Sequence, residues 1–589
     1  MLETIHKAIH ALLQPPKEVG LSCHVPVLMP QSLNTRNFHR IMGRMKGLPL
    51  QIPEGLEPWI KGLGITYKDL GINLAKRYSS LVAAKEVESG RSITYEELNR
   101  KAAKVANGLL SLGVVKHDRC ALYMRNRLEY LIAEQALAKI GAVRVGLNEM
   151  LSPDYVKYML GDSQAKVLIT DHELLNKVSP LIEEIKDKVK IVCVSEGGKL
   201  PPGVLEFDEL LRYSEVEPAI RVSEQDVWEI GYTGGTTGVP KGVVRTHKAD
   251  LIVTLFQAFE FEIYEREKML LATPLPHVSG FLFNSCCLKG GTAYIMKRFD
   301  IPTFLETIEK EKITWTWGVP TMIYRLLNYP ELKKYDLSSL RTFVYGAAPM
   351  APDKLKTAIE TFGPIFMQIY GQYEAAMLIS KLSKHEHVEA MRDPSKSKIL
   401  ASAGKPYPWL EVKIVDDNDN ELPIGSPGEI VVRAPHVMLG YLNKADETSE
   451  TLRGGWLHTG DVGYLDEDGY LYIVDRKKDR IKTGGMNVYS AEVEKALHEH
   501  PAINNVAVIG VPHPDWGEAV KAIVVLNPGY EPSKELEEDI IKFAKKKLPA
   551  YAVPKSIDFV NELPVTPYGK IDKKKLREPY WKGLPRRVH

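Results

Sequence analysis

Cysteine is scarce in this sequence, and its placement excludes two classes of protein. The five cysteines among 589 residues are Cys23, Cys120, Cys193, Cys286 and Cys287, and no two have the Cys-x-x-Cys spacing. A small disulfide-rich domain and a zinc site both need paired cysteines at short spacing. The cysteine usage therefore favours a reducing, cytoplasmic compartment.

Long apolar runs and an excess of positive charge are also absent. No apolar stretch approaches the ~20 residues that a membrane-spanning helix needs. The N-terminus lacks the charged and apolar regions of a secretory signal. The formal net charge is only +2, from 77 basic and 75 acidic residues, which argues against nucleic acid as a partner. We expect a protein without a transmembrane segment that acts on small molecules.

Residues 1–60 have the character of an N-terminal extension. Leu2, Ile5 and Ile9 follow helical spacing, and Pro15-Pro16 ends the pattern. Packing on the main body, or a subunit interface that would make a homodimer, is the favoured use. Attachment to a membrane surface remains an alternative, which the weakly basic polar face disfavours.

Strands and helices alternate through the middle of the chain, which predicts an α/β fold with parallel sheets. A helix is predicted over residues 128–140, and short apolar strands over residues 119–123, 143–147, 227–232, 269–272, 293–296, 313–317, 342–345 and 365–370. After Gly404 the strands become short and alternating, at 412–415, 429–433 and 470–474, which indicates a β-rich subdomain. Residues 479–589 are predicted to form a small α+β domain.

The segment 232–242, Tyr-Thr-Gly-Gly-Thr-Thr-Gly-Val-Pro-Lys-Gly, is the strongest local motif. Its four glycines allow backbone N–H groups to approach phosphate oxygens, and its hydroxyls and lysine add donors. A standard P-loop ends Gly-Lys-Ser/Thr, whereas here Pro240 separates Gly238 from Lys241. The motif therefore predicts phosphate binding outside the P-loop ATPases and kinases, followed by a helix from Val243.

Polar motifs follow several other predicted strands, where ligands of parallel sheets bind. These motifs are Pro-Leu-Pro-His at 274–277, Tyr-Gly-Ala-Ala-Pro at 345–349, Tyr-Gly-Gln-Tyr-Glu at 370–374, Trp-Leu-His-Thr-Gly-Asp at 456–461, Met-Leu-Gly-Tyr at 438–441, Lys-Thr-Gly-Gly-Met-Asn-Val at 482–488 and Leu-Pro-Val-Thr-Pro-Tyr-Gly-Lys at 563–570. In this order and spacing, the chain resembles the acyl-adenylate-forming superfamily of acyl- and aryl-CoA synthetases, peptide-synthetase adenylation domains and firefly luciferase. The resemblance covers about residues 65–580.

The resemblance implies an architecture and a reaction. The fold would be a large N-terminal adenylation domain (61–474) of parallel-rich sheets covered by helices, with the β-rich subdomain. A hinge (475–478) would then lead to a mobile C-terminal domain (479–589). The reaction would be ATP-dependent and Mg²⁺-dependent conversion of a small-molecule carboxylic acid to an acyl-adenylate, followed by transfer to the thiol of CoA with release of AMP and pyrophosphate.

The resemblance also assigns roles to single residues. The catalytic residues would be Lys570, Lys241, Glu374 and His277, with Mg²⁺ bound by Glu374 and Thr236. The nucleotide would be bound by Thr233, Gly234, Gly235, Thr236, Thr237, Lys241, Gly346, Ala347, Ala348, Gln368, Tyr370, Gly371, Tyr373, Asp461, Arg476, Lys482, Asn487 and Lys570. The acid pocket would contain His277, Phe281, Tyr345, Gly346 and Tyr370. Gly484 and Gly485 would border the CoA tunnel, and Lys478 would be the hinge residue. The family has threonine where this chain has Tyr373, which puts an α-phosphate contact of Tyr373 in question.

Three functions stay open at this point. An acid:CoA ligase is favoured because no insertion precedes the hinge and no carrier domain follows residue 589 in this sequence. A ligase that loads a carrier-protein phosphopantetheine is the alternative, as in 2,3-dihydroxybenzoate-type aryl-acid activation. A non-catalytic nucleotide-binding regulator is disfavoured by the joint presence of Lys241, Glu374, Asp461 and Lys570. The apolar and aromatic candidate pocket predicts a monocarboxylic acid, medium-chain fatty or aromatic.

Overall fold

The computed structural model describes residues 64–185, 187–233, 240–565 and 571–582. Most of the proposed phosphate loop (234–239), Lys570 and the N-terminal extension lie outside the described residues. Among the residues described, no helix is both long and apolar enough to cross a membrane.

The strands bear out the predicted alternation along the chain. In chain order they are β1 (Val82–Glu86), β2 (Ser92–Thr94), β3 (Arg119–Tyr123), β4 (Val143–Gly146), β5 (Val167–Asp171), β6 (Lys190–Val194), β7 (Val204–Glu206), β8 (Val227–Thr233), β9 (Lys241–Thr246), β10 (Lys268–Leu271), β11 (Thr292–Ile295), β12 (Trp315–Gly318), β13 (Thr342–Gly346), β14 (Phe366–Gln372), β15 (Ala375–Leu382), β16 (Lys405–Pro406), β17 (Glu411–Val415), β18 (Gly428–Arg433), β19 (Gly440–Tyr441), β20 (Leu457–Leu465), β21 (Leu471–Arg476), β22 (Ile481–Thr483), β23 (Met486–Val488), β24 (Ile503–His513), β25 (Gly517–Leu526) and β26 (Ser556–Phe559).

The helices connect these strands. They are α1 (Tyr67–Tyr78), α2 (Tyr95–Ser111), α3 (Leu128–Ile140), α4 (Pro153–Ser163), α5 (His172–Lys177), α6 (Ser179–Ile185), α7 (Phe207–Leu210), α8 (His247–Glu260), α9 (Gly280–Leu288), α10 (Ile301–Glu311), α11 (Pro320–Leu327), α12 (Pro352–Phe362), α13 (Lys384–Arg392), α14 (Ala445–Thr451), α15 (Ser490–Leu497), α16 (Lys534–Lys547) and α17 (Lys573–Arg577). Short 3-10 segments cover Leu332–Lys334, Pro394–Ala401, Arg453–Gly455 and Lys477–Asp479, and a π-helical turn covers Leu275–Ser279.

Two large sheets form the body of the protein. The first sheet has the order β16-β15-β14-β13-β12-β10-β11-β1-β2, and the second has the order β19-β9-β8-β4-β3-β5-β6-β7. Parallel pairs occupy the centre of both sheets, and antiparallel pairs lie towards the edges. The facing sides of the two sheets and helices α2, α3, α8 and α9 share one apolar core. Since the outer faces carry their own apolar clusters with other helices, the predicted α/β class is confirmed.

The C-terminal third contains two smaller sheets. The third sheet, β17-β18-β20-β21, is the predicted β-rich part, and the fourth sheet is β23-β22-β25-β24 with β26 beside β25. The fourth sheet and helices α15 and α16 enclose a core of their own. Lys478 lies in the 3-10 segment between β21 of the third sheet and β22 of the fourth.

The prediction of a helix from Val243 is wrong. Val243 lies in β9, which pairs antiparallel with β8 so that Val243 faces Gly231. Both Val243 and Val244 are buried, and β-branched side chains suit a strand between two packed layers. The helix begins only at His247, where the Thr246 side chain accepts a hydrogen bond from the backbone N–H of Ala249 and caps the helix.

Candidate active site

The predicted ribose-side residues meet where Tyr370 near the end of β14, Asp461 in the middle of β20 and Arg476 at the end of β21 come together. The Tyr370 hydroxyl donates to Asp461 Oδ2 at 2.7 Å, and Arg476 Nε lies 2.7 Å from Asp461 Oδ1. Asp461 is 3 % exposed, so its two oxygens are directed by these partners. The arrangement provides a fixed carboxylate of the kind that accepts hydrogen bonds from ribose hydroxyls.

The Gly346-Ala347-Ala348 segment follows β13 beside this carboxylate-bearing region. A Cβ at Gly346 would overlap the carbonyl oxygen of Ile369, so the close approach of β13 and β14 requires glycine there. Ala347 has φ +65°, in the left-handed region that non-glycine residues rarely adopt. Ala347 and Ala348 are exposed. The segment therefore leaves an open backbone edge beside Tyr370.

Lys241 and Glu374 are brought together by a residue to which the sequence reasoning gave no role, Tyr441. The Tyr441 hydroxyl donates to Glu374 Oε1 at 2.8 Å, and Lys241 Nζ lies 4.9 Å from the centre of the Tyr441 ring. Lys241 Nζ also pairs with Glu447 at 2.6 Å. The proposed phosphate-binding lysine and metal-binding carboxylate thus contact the same tyrosine, one over its ring and the other at its hydroxyl.

Other predicted nucleotide-binding residues lie on strands β8, β14, β22 and β23. Thr233 ends β8 directly opposite Lys241 of β9, at the start of the glycine-rich loop. Gln368 contacts the Tyr345 hydroxyl at 3.2 Å. Gly371 lies at an irregularity of the β14–β15 pairing, where a Cβ would approach the Met377 backbone within 2.6 Å. Lys482 and Asn487 are paired across the β22–β23 hairpin.

His277 and Phe281 lie together on the acyl side. His277 is in the π-helical turn before α9, and its Nε2 lies 3.0 Å from the Asn148 side-chain nitrogen. Burial, together with the nearby Arg144, lowers the pKa of His277 to about 4, so the ring is neutral at physiological pH. Phe281 is on α9, and Tyr373 contacts both rings edge-on, with centroids 6.4 Å from His277 and 6.2 Å from Phe281.

Tyr345 is not brought into this group. Its side chain is completely buried on the opposite face of the first sheet, in the core with Phe343 and Phe366. Its hydroxyl contacts His387 Nε2 at 2.9 Å. The alternation of side chains along β13 explains the difference, because Val344 and Gly346 face the inner core while Tyr345 faces outward.

Sequence reasoning missed a buried charged row beside the acyl side. Arg144, Glu229 and Arg245 are direct neighbours on β4, β8 and β9, and each is at most 2 % exposed. Arg144 pairs with Glu229, and Arg245 pairs with Asp250 of α8 at 2.5 Å. The Arg245 guanidinium lies 5.7 Å from the Phe281 ring centre. Only the register of three separated strands reveals this row.

An exposed aromatic pair adjoins the predicted thiol side. Gly484 (φ +55°) and Gly485 (φ +81°) form the β22–β23 turn, and the Gly484 N–H donates to the Trp516 carbonyl at 2.9 Å. Trp516 is 41 % exposed and stacks on His513 at 4.0 Å. Lys555 Nζ lies 5.5 Å from the Trp516 ring. The turn therefore opens beside a flat aromatic surface with a cation at its edge.

Comparisons with known proteins show which family and which solved structures this chain is similar to. Residues 73–442 match the AMP-binding enzyme family, and residues 492–570 match the AMP-binding enzyme C-terminal domain. The medium/long-chain-fatty-acid–CoA ligase FadD8 of Mycobacterium tuberculosis is 38% identical over 496 residues, 82% of this chain and 83% of the relative. A feruloyl-CoA synthase of an Amycolatopsis species is 36% identical over 493 residues, 83% of this chain and 94% of the relative. The solved structure of the amide bond synthetase McbA from Marinactinospora thermotolerans is similar with a TM-score of 0.76 and 31% identity, over 87% of this chain and 100% of McbA.

Proposed function

The chain belongs to the AMP-binding enzyme family, and on that premise we propose which acid it activates and which residues carry the reaction. The enzyme is an AMP-forming acid:CoA ligase that uses ATP, Mg²⁺ and CoA. We propose a monocarboxylic acid with an apolar body, either a medium-chain fatty acid or an aromatic acid. The observation that carries the assignment of the phosphate site is that Lys241 and Glu374 contact the same residue, Tyr441, the lysine at its ring and the carboxylate at its hydroxyl.

The residues present fit a nucleotide with one metal ion. In the described residues no group of three or more His, Cys, Asp or Glu could hold a metal ion. Mg²⁺ in nucleotide sites is commonly bound through one or two carboxylates plus phosphates, so Glu374, with Thr236 of the loop, is a suitable ligand set. One Glu374 oxygen already accepts from Tyr441, which directs the carboxylate. Bound Mg²⁺ would neutralise charge on the phosphates.

The first half-reaction then depends on positioning and charge neutralisation, because an anionic carboxylate must approach an anionic phosphate. Asp461, aligned by Tyr370 and Arg476, would hold the ribose, and the exposed edge at 346–348 would receive the adenine. Gln368, Gly371, Lys482 and Asn487 complete the proposed nucleotide contacts. Lys241 and the loop residues Thr233, Gly234, Gly235, Thr236 and Thr237 would hold the leaving pyrophosphate. Lys570 would stabilise charge that develops between the acid and the α-phosphate.

The thiol half-reaction would use the other face of the C-terminal domain (479–589). We propose residues 475–478 as the hinge, with Lys478 as the residue that absorbs the rotation, since it lies between the third and fourth sheets. Rotation about such a hinge would withdraw Lys570 and present Gly484 and Gly485. Without side chains these two residues leave room for a pantetheine arm, and Trp516 offers a surface on which a base can stack.

The acid pocket would be formed by His277, Phe281, Gly346 and Tyr370. The neighbouring Arg144 and Arg245 are engaged with Glu229 and Asp250, so the row has no net positive charge to attract a second carboxylate. This supports a monocarboxylic substrate. The four described cysteines are buried and free, which suits the proposed cytoplasmic location.

Acid-dependent exchange of pyrophosphate into ATP tests the proposal. We expect exchange with medium-chain and aromatic monocarboxylic acids and CoA-dependent release of AMP with the same acids. A dicarboxylic acid of matched length serves as the control. If no monocarboxylic acid supports exchange, the proposed substrate class is wrong.

The alternative acceptor is the phosphopantetheine thiol of a carrier protein. The Gly484-Gly485 turn suits either thiol, because both end in the same pantetheine arm. Exchange that occurs without CoA-dependent AMP release, together with acid transfer to an added carrier protein, would favour this alternative.

Analytical ultracentrifugation of the full chain would test the proposed homodimer.

A further inference from the structure

Two glycines form a depression in the second sheet directly beside the charged row. Gly146 of β4 and Gly231 of β8 are register neighbours, one alternation step beyond Arg144 and Glu229. Side chains at alternate positions share a face, so the glycines face the same inner core as the charged row. A Cβ at Gly146 would lie 3.1 Å from Pro276. The depression thus opens towards the turn that carries His277.

The Tyr373 ring occupies the part of this depression over Gly231. A Cβ added to Gly231 would overlap three atoms of the Tyr373 side chain, so the ring lies directly on the glycine. The hydroxyl lies 3.5 Å from the Pro276 carbonyl oxygen, and the ring meets His277 and Phe281 edge-on. The described contacts of the Tyr373 side chain are therefore with the acyl side of the site.

The backbone carbonyl of Tyr373 is held by Arg245 of the charged row. Arg245 Nη1 donates to the Tyr373 carbonyl at 3.2 Å and to the His436 carbonyl at 3.1 Å. The same arginine is held by Asp250. Tyr373 is consequently attached at its carbonyl to the charged row and covered at its ring by two aromatic side chains, which limits its rotation.

We propose that Tyr373 determines substrate specificity by closing the inner end of the acyl pocket, so that the enzyme accepts compact acids and excludes long alkyl chains. The inference rests on the proposed function, which places the acid at His277 and Phe281. A long chain could extend further only by displacing the ring from Gly231. The chain would then lie against Arg144, Glu229 and Arg245. Alkyl groups cannot hydrogen-bond to these charged side chains, so such a complex would have a higher free energy. The favoured substrate is a planar aromatic acid or a fatty acid of medium length.

The test measures kcat/KM for hexanoate, decanoate, hexadecanoate and a benzoate-type acid in the full-length enzyme. Tyr373→Thr removes the ring and should raise the ratio of kcat/KM for hexadecanoate to that for hexanoate by about tenfold or more, since a single methylene in an apolar pocket is already worth about tenfold. Tyr373→Phe is the matched control, because it keeps the ring and should keep the wild-type ratio. Tyr373→Trp should lower the ratio of kcat/KM for decanoate to that for hexanoate.

A second substitution tests the contact on which the inference depends. Gly231→Ala should change the kcat/KM values for the acids in the wild-type background, since the added Cβ overlaps the Tyr373 side chain. In the Tyr373→Thr background the same change should have little further effect. Equal effects of Gly231→Ala in both backgrounds would overturn the proposed contact.

Three outcomes separate this inference from its premise. If wild-type enzyme exchanges pyrophosphate with no monocarboxylic acid, the proposed function fails. If it exchanges with several acids but Tyr373→Thr leaves their ratios unchanged, only the specificity inference fails. If Tyr373→Phe raises the KM for ATP with every acid alike, Tyr373 acts on the nucleotide and the inference is also overturned. Thermal unfolding of every variant, including Tyr373→Trp, distinguishes loss of folding from altered specificity.

Discussion

The nucleotide side and the acyl side of this site use charged residues in opposite ways. On the nucleotide side, Asp461 pairs with Arg476 and accepts from Tyr370, Glu374 accepts from Tyr441, and Lys241 pairs with Glu447. Lys241 is partly exposed and Arg476 is exposed, so a ligand can exchange partners with these two cations. On the acyl side, Arg144, Glu229 and Arg245 are buried and compensate one another. The first arrangement is suited to binding, and the second keeps neighbouring elements in place. Mutations should therefore affect activity on one side and stability on the other.

The largest effect is expected from Glu229→Gln on the acyl side. Removing this charge leaves buried Arg144 with only the more distant Glu134 carboxylate, 3.7 Å from its Nε, and breaking a buried ion pair typically costs about 3–5 kcal/mol. Urea unfolding of the full chain measures the change. Glu306→Gln, which breaks the exposed pair with Lys310, is the control and should cost less than about 1 kcal/mol. A similar small loss for Glu229→Gln would contradict the structural role of the row.

Lys570→Ala should separate the two half-reactions without altering stability. We expect acyl-adenylate formation to slow about 10²–10³-fold, as for other donors directed at developing charge. Reaction of a preformed adenylate with CoA should remain near the wild-type rate, because the lysine would be withdrawn by then. Rapid-quench measurements of each step check this. Equal slowing of both steps would argue against domain alternation.

Asp461→Asn should weaken ATP binding rather than folding. The asparagine keeps the shape of the side chain but loses its charge-assisted hydrogen bonds, worth about 1.5 kcal/mol or more, so we expect the KM for ATP to rise about tenfold. Glu467→Gln, at an exposed position close in sequence, is the matched control. Unchanged ATP affinity with a lower unfolding temperature would place Asp461 with the structural residues instead.

The smallest effect at neutral pH comes from His436 on the acyl side, whose contribution to stability changes only as the pH falls. Burial, together with Arg245, lowers the pKa of His436 to about 3, whereas an unfolded histidine has a pKa of about 6.5. As the pH falls below about 6.5, the unfolded chain binds a proton that the folded protein does not, so stability declines towards pH 3 by up to about 1.4 kcal/mol per pH unit. His436→Gln should flatten this slope by one proton in unfolding experiments at several pH values. An unchanged slope would show that His436 does not contribute.

The sequence predicted the α/β class and most strands within a few residues, because their apolar runs and turn residues are local signals. It failed at Val243, where a β hairpin and a helix begin with the same apolar residues and only the pairing with β8 distinguishes them. It gave Tyr345 to the acid pocket, since a sequence motif does not state which face of β13 a side chain occupies. The contact of Tyr373 with Gly231 depends on two distant segments meeting, so no local pattern could reveal it.

The short segment that ends at Tyr441 determines a distance as well as a set of contacts. Met438 N–H donates to the Glu374 carbonyl, and Leu439 N–H donates to the Val244 carbonyl, while Val437 pairs with Ala375 and Tyr441 pairs with Val243. One stretch of backbone therefore joins an edge of the first sheet to an edge of the second. The spacing between lysine and carboxylate is consequently set by main-chain geometry, and a one-residue deletion there would displace both charges relative to each other even though every charged side chain remained.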